Sequence, residues 1–234
     1  IKMKERWISS TTKLNSLIKN KLTNFQIIIL SFLLAFCSFF YELCFAQLLS
    51  SLLGGTYLQY AFTIGLFTSS LGMGTLIYEK LKSQYKFEYI FTLTELFLIL
   101  TILSAPWLMI MISNMGVNFL LYLPVILVGL LTGIELPLLI SQEEKLLTKT
   151  LAADYSGMIF AAIIFPLYLF PKFGILPSLF LVCMINIFSV SSLILKRHYR
   201  WLVYLLLLIN IVIIVLNAEK LNELSSYLLE LRHV

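Results

Sequence analysis

The chain is 234 residues long, 60% hydrophobic and only 12% charged, with a mean hydropathy of +0.95. That composition excludes an ordinary soluble domain. The net charge of +5 does not argue for nucleic acid, because the basic residues are spread over several loops instead of one patch. Residues 1–24 form a basic N-terminal segment. Trp7, Leu14, Leu17, Ile18, Leu22 and Phe25 recur there at helical spacing, with Lys13, Lys19 and Lys21 among them. The spacing predicts an amphipathic helix on the membrane surface, with an unstructured basic tail as the alternative. Residues 25–217 read as an all-α transmembrane bundle of about seven spans, at 25–49, 57–78, 89–112, 117–140, 151–171, 174–195 and 200–217. Helices are required, because an isolated strand leaves its backbone unsatisfied in lipid. Gly54-Gly55, Gly116 and Pro171–Gly174 punctuate one side, and the charged loop 141–150 lies on the other. Pro166, Pro171 and Pro177 leave a re-entrant 151–195 open. The polar tail, 218–234, carries Leu221, Leu224, Leu228 and Leu231 at helical spacing and reads as an interfacial helix or the stalk of a missing domain. The first residue is Ile1 rather than Met, which suggests a partial chain, and no cleavable signal peptide is expected.

The positive charge alternates along this pattern. Of seventeen Lys and Arg residues, fourteen precede the first span or occupy every second loop: Lys2, Lys4, Arg6, Lys13, Lys19 and Lys21, then Lys80, Lys82 and Lys86, then Lys145 and Lys149, then Lys196, Arg197 and Arg200. The positive-inside rule places those loops, and the N-terminus, in the cytoplasm.

Four acids lie inside apolar runs that contain no Lys or Arg: Glu42, Glu95, Glu135 and Asp154. A charge at mid-membrane costs roughly 3 kcal/mol on insertion scales, so such residues face a bundle interior or a watery cavity and are functional candidates by default. Glu42 shares a face with Ala35, Ser38 and Ala46. Glu135 stands beside Pro137, which cannot bond to the Gly133 carbonyl and should open the backbone there. Asp154, followed by Tyr155, is either a helix cap or part of a close-contact face continued by Gly157 and Ala161. Glu95 is expected at the interface, paired with lysine. Gly65, Gly72, Gly129, Gly133 and Gly157 are read as helix-packing positions. Cys37, Cys44 and Cys183 read as small buried hydrophobes, and no metal site is expected.

Three segments together resemble a known family. They are Tyr41-Glu42-Leu43 running through Leu52-Leu53-Gly54-Gly55 and Gln59 to Ile64-Gly65-Leu66-Phe67 and Gly72-Met73-Gly74; Gly133-Ile134-Glu135-Leu136-Pro137-Leu138-Leu139; and Asp154-Tyr155-Ser156-Gly157 running into Phe165-Pro166-Leu167, Pro171 and Phe173-Gly174. The set resembles the transmembrane region of the integral-membrane spermidine synthase-like proteins, or membrane-bound polyamine aminopropyltransferases, over about residues 25–195. On that pattern Glu42, Glu135 and Asp154 are the matched polar positions. In such relatives a soluble aminopropyltransferase-like domain follows the helices, binds decarboxylated S-adenosylmethionine and transfers an aminopropyl group to putrescine. Its glycine-rich cofactor loop and acidic catalytic residues have no counterpart here, so the resemblance implies no catalytic residue and no cofactor for this chain.

The first expectation is therefore a multi-pass protein of the bacterial cytoplasmic (inner) membrane. It would be a non-catalytic module that anchors, or presents substrate to, a soluble aminopropyltransferase-like partner domain. A small polyamine or cation transporter is the second reading, since unpaired buried acids suit a cationic cargo. A structural subunit of a homo- or hetero-oligomer, assembled through the small-residue faces, is the third. The lipid bilayer is the one partner common to all three.

Overall fold

The computed structural model describes residues 22–193 together with Leu205, Leu208 and Val212. The predicted N-terminal helix up to residue 21, the span 200–217 apart from those three residues, and the tail 218–234 lie outside the described residues. Every regular element among the described residues is helical. α1 (Asn24–Leu53) opens on a reciprocal cap. Gln26 N–H donates to Thr23 Oγ1 at 3.3 Å, and Thr23 N–H donates to Gln26 Oε1 at 2.9 Å. It ends at Gly54 and Gly55, whose φ angles of 72° and 61° reverse the chain where a side chain would be strained.

α2 (Thr56–Leu81) and α3 (Phe87–Asn114) follow, joined by a short turn that carries Lys82 and Lys86. A 3₁₀ turn, Asn118–Tyr122, leads into α4 (Leu123–Ile140). α5 (Leu147–Ile164) is preceded by the 3₁₀ turn Glu144–Leu146 and continues through a π-helical turn, Phe165–Leu169, and a last α turn, Phe170–Phe173. Pro166 sits in the π turn, the place where a missing backbone donor is most easily absorbed. After Gly174 the chain returns as α6 (Ile175–Leu193).

Five of these helical stretches are long and apolar enough to cross a membrane: Asn24–Leu53, Thr56–Leu81, Phe87–Asn114, Asn118–Ile140 and Glu144–Phe173. The fifth begins earlier than the expected 151. The charged stretch after Ile140 is not all loop: Leu146 and Thr150 are buried at helical spacing while Lys145 and Lys149 stay exposed.

α1 is the hub. It is apolar on all sides, and Ile27, Leu30, Phe40, Phe45 and Leu49 are fully buried. It packs on every other helix, most extensively on α5, while α2 packs chiefly on α4. α2 and α5 form the perimeter, with Tyr57, Phe62, Met73 and Leu76 of α2 and Ile159, Phe160 and Leu167 of α5 exposed. An apolar rim of this extent is a liability in water and a match for lipid. Polar bridges tie the end of the bundle near the glycine turn: Tyr60 donates to Gln47 at 2.8 Å and Tyr122 donates to Gln59.

Lipid removes the hydrophobic force between helices, so close packing must replace it. Two crossings show this. A Cβ on Gly129 or Gly133 of α4 would strike the α2 backbone at Phe67 and Leu71, and one on Gly74 would strike Leu130 and Gly133. A Cβ on Gly157 of α5 would strike the Phe32 carbonyl of α1. The expectation for α2 needs correction. Gly65 and Gly72 have open space where a Cβ would go, because they lie on the outward side of a helix that contacts α4 through Phe67, Ser70 and Gly74. At the other end of α2, Lys82 pairs with Glu79 at 2.5 Å, and that hydrogen bond holds the lysine above its ordinary pKa.

Candidate functional site

The starts of α1 and α5 and the ends of α2 and α4 meet at the end of the bundle that carries Lys80, Lys82, Lys145 and Lys149. One hydrogen bond crosses there from α1 to α5: the Ser31 hydroxyl donates to the Thr150 carbonyl at 3.1 Å. Another crosses from α2 to α4. Pro137 has no N–H for the Gly133 carbonyl, and the Thr75 hydroxyl approaches that carbonyl at 3.4 Å while also bonding the Leu71 carbonyl at 3.0 Å. The opened backbone expected beside Glu135 is thus partly covered by a neighbouring helix. Ser31→Ala should remove one interhelical bond and lower stability by roughly 0.6 kcal/mol, the mean found for such bonds in membranes. A small, reproducible drop in detergent melting temperature would show it.

These four helices line a partly open cavity of about 250 Å³. Its polar lining is Ser31, Ser38, Thr75, Thr132, Glu135 and Asp154, and the remainder is apolar. Glu135 is 4% exposed, and its Oε1 has no hydrogen-bond partner among the described residues. Asp154 is buried, faces the same space, and lies within electrostatic reach of Glu135. Its reading as a helix cap is corrected: α5 starts at Leu147, two turns earlier, so Asp154 lies inside the helix. Tyr155, singled out beside it, is 60% exposed and points to the perimeter, since one residue further along a helix turns the side chain by about 100°.

Glu95 does not pair with lysine at an interface. It lies two turns into α3, is 2% exposed, and accepts a hydrogen bond from Asn186 Nδ2 of α6 at 3.2 Å. Its carboxyl is also within electrostatic reach of Glu135. Three carboxyl groups from α3, α4 and α5 therefore converge on the interior, with Cys37, Tyr41 and Cys183 close by. Tyr41 Oη, Glu95 Oε1 and Asn186 Oδ1 are, like Glu135 Oε1, buried without a hydrogen-bond partner among the described residues. Glu42 is buried one turn beyond Ser38 on the same face of α1, outside the cavity lining.

The sequence reading missed Asn186, Ser31 and Thr75. Asn186 was the most findable, being the single amide in the predicted span 174–195. Ser31 and Thr75 carry no such signal, because a hydroxyl in an apolar helix usually bonds its own preceding turn.

Comparison with known proteins adds a second line. A polyamine aminopropyltransferase of Leptospira interrogans is 29% identical over 161 residues, covering 64% of this chain and 32% of its own length. One from Oceanobacillus iheyensis is 28% identical over 166 residues, covering 66% and 32%. A polyamine aminopropyltransferase 1 of Streptomyces coelicolor is 30% identical over 176 residues, covering 69% and 32%. The chain spans about a third of the length of the curated relatives it matches. These similarities support a spermidine synthase-like relationship. No family model and no solved structure matches.

Proposed function

We propose that this chain is the membrane-embedded, non-catalytic module of a polyamine aminopropyltransferase-like protein, and that it anchors, or presents substrate to, a soluble aminopropyltransferase domain. One observation carries the reading. Relatives that share one enzymatic name match stretches of 161–176 residues, and the segments flanking the helical bundle are far too short to contain alignments of that length. The similarity therefore falls on helices, five of which have membrane-spanning length. Every regular element among the described residues is helical, whereas dinucleotide-like cofactors are ordinarily held on a Rossmann-type sheet. A partner domain then supplies the cofactor and the chemistry, and the bundle supplies location.

The basic turns orient the module with Lys82 and Lys145 in the cytoplasm, where the acid-lined cavity would open towards a domain using an intracellular cofactor. Single cysteines at 82 and 145 are expected to resist an impermeant thiol reagent in intact cells and to react after lysis. Labelling in intact cells would reverse the orientation.

The test of function is isolation of the chain from its own cells in mild detergent, with aminopropyl transfer from decarboxylated S-adenosylmethionine to putrescine as the readout. Transfer activity is expected to accompany the isolate, and the recombinant chain alone is expected to be inactive. Product formation by the recombinant chain alone would overturn the non-catalytic assignment. Absence of activity from the native isolate would overturn the partnership.

A further inference from the structure

We infer that the cavity between α1, α2, α4 and α5 binds the ammonium end of an aliphatic primary amine, with Glu135 and Asp154 as its counter-charges. The inference deepens the proposed function and rests on it for the choice of amine as substrate class.

The reasoning starts from the direction of the hydrogen bonds. Each hydroxyl in the lining already spends its proton on a backbone carbonyl: Ser31 on Thr150 at 3.1 Å, Ser38 on Ala35 at 3.2 Å, Thr75 on Leu71 at 3.0 Å and Thr132 on Val128 at 2.9 Å. What each has left is lone pairs. The two carboxyl groups add further acceptors, and the lining contains no Lys, Arg, His, Asn or Gln among the described residues. The wall is thus rich in acceptors and poor in donors. An anion would meet two carboxyl groups and no cationic side chain among the described lining residues. An ammonium group brings three donors and a positive charge, and meets both needs.

Burial sharpens the point. Glu135 Oε1 is buried and without a partner among the described residues, a condition that costs free energy until a donor arrives. The remaining walls, among them Leu34, Leu71 and Met158, are apolar and suit methylene groups. A volume of about 250 Å³ exceeds by far the roughly 10–15 Å³ that a single water needs. Ser31 lies seven residues past Asn24 and Glu135 five before Ile140, so the cavity floor is roughly 8–10 Å from the basic end of the bundle.

The intact chain in lipid nanodiscs should bind radiolabelled putrescine saturably. Butylamine, with one ammonium group, should displace it; succinate, of similar length and opposite charge, should not. Glu135→Gln and Asp154→Asn should each weaken binding at least about tenfold, the loss of one charge-assisted hydrogen bond, while surface Glu79→Gln leaves it unchanged. A thermal melt on each variant separates lost binding from lost folding, and a variant that fails to fold is replaced by Ser38→Val, which removes a lining acceptor without touching a carboxyl. Equal affinity in folded variants and parent would overturn the inference. Displacement by sodium or potassium as effective as by butylamine would do the same, because the site would then belong to an inorganic cation. Failure here is distinguishable from failure of the proposed function: co-isolation of transfer activity with no amine bound by the bundle sinks only the cavity's role, and amine binding without co-isolated activity sinks only the partnership.

Discussion

Leucine at Gly157 or Gly133 is expected to prevent assembly of the bundle, whereas leucine at Gly72 is expected to be tolerated. All three are helical glycines in apolar surroundings, and sequence alone treats them alike. The structure separates them. At Gly157 and Gly133 the first atom of any side chain would meet backbone of the facing helix, at Phe32 and Leu71 respectively. Backbone cannot swing aside as a side chain end can, so the helices must separate. Overpacking costs typically ~1–3 kcal/mol, and contact with backbone lies at the upper end or beyond. α5 packs more extensively on α1 than any other pair does, and α2 relies mainly on α4, so each substitution strikes the chief contact of a peripheral helix. At Gly72 the new side chain enters open space, and replacing a mid-helix glycine gains up to ~1 kcal/mol of helix propensity in water. Size-exclusion profiles in detergent should show aggregates for Gly157→Leu and Gly133→Leu and a parent-like peak for Gly72→Leu. A monodisperse Gly157→Leu protein with parent-like melting would refute the α1–α5 contact.

The second large effect concerns Glu95 and Asn186. Asn186→Leu keeps the branching of the side chain but removes the donor that Glu95 accepts from. Glu95 Oε1 is already without a partner among the described residues, so the whole carboxyl would then be buried with none. A loss of about 1–3 kcal/mol is expected, the cost of orphaning a buried polar group. Replacing both, with Glu95→Met beside Asn186→Leu, removes the polar groups together and should restore most of that loss, because two apolar side chains of matching shape need no partner. The double-mutant cycle, read by thermal or denaturant unfolding in detergent, gives the coupling directly. A double variant less stable than both single variants would mean that the pair contributes more than its mutual bond.

Much of the fold was legible. The helix limits at 25–49, 57–78 and 89–112 fall inside the observed α1 to α3, and 117–140 takes in the 3₁₀ turn Asn118–Tyr122 together with α4, because lipid-length apolar runs leave little room for error. The fifth limit was late by several residues, since Leu146 and Thr150 bury one face of a stretch that its charges make look like a loop. Among the candidate residues, Glu135 and Asp154 do share a cavity, and Gly129, Gly133 and Gly157 are contact points. Glu95 does not take the expected interfacial, lysine-paired place, because position near the end of an apolar run says nothing of the direction a side chain faces. Tyr155 was misread because adjacency along a helix means different faces.

Composition and apolar run length by themselves determined that the chain is helical, with stretches long and apolar enough to cross a membrane, and charge alternation set the expectation of which turns share a side. Those are properties of the solvent: a bilayer imposes helix, length and the placement of cations on any chain, whatever its neighbours. The tertiary structure alone decided which glycines touch backbone, which acid meets Asn186, and that hydroxyls from three helices turn their protons away from two carboxyl groups. Facing direction between helices depends on crossing geometry and on residues distant in sequence, and no local pattern of apolar residues encodes it when every side of a helix is apolar.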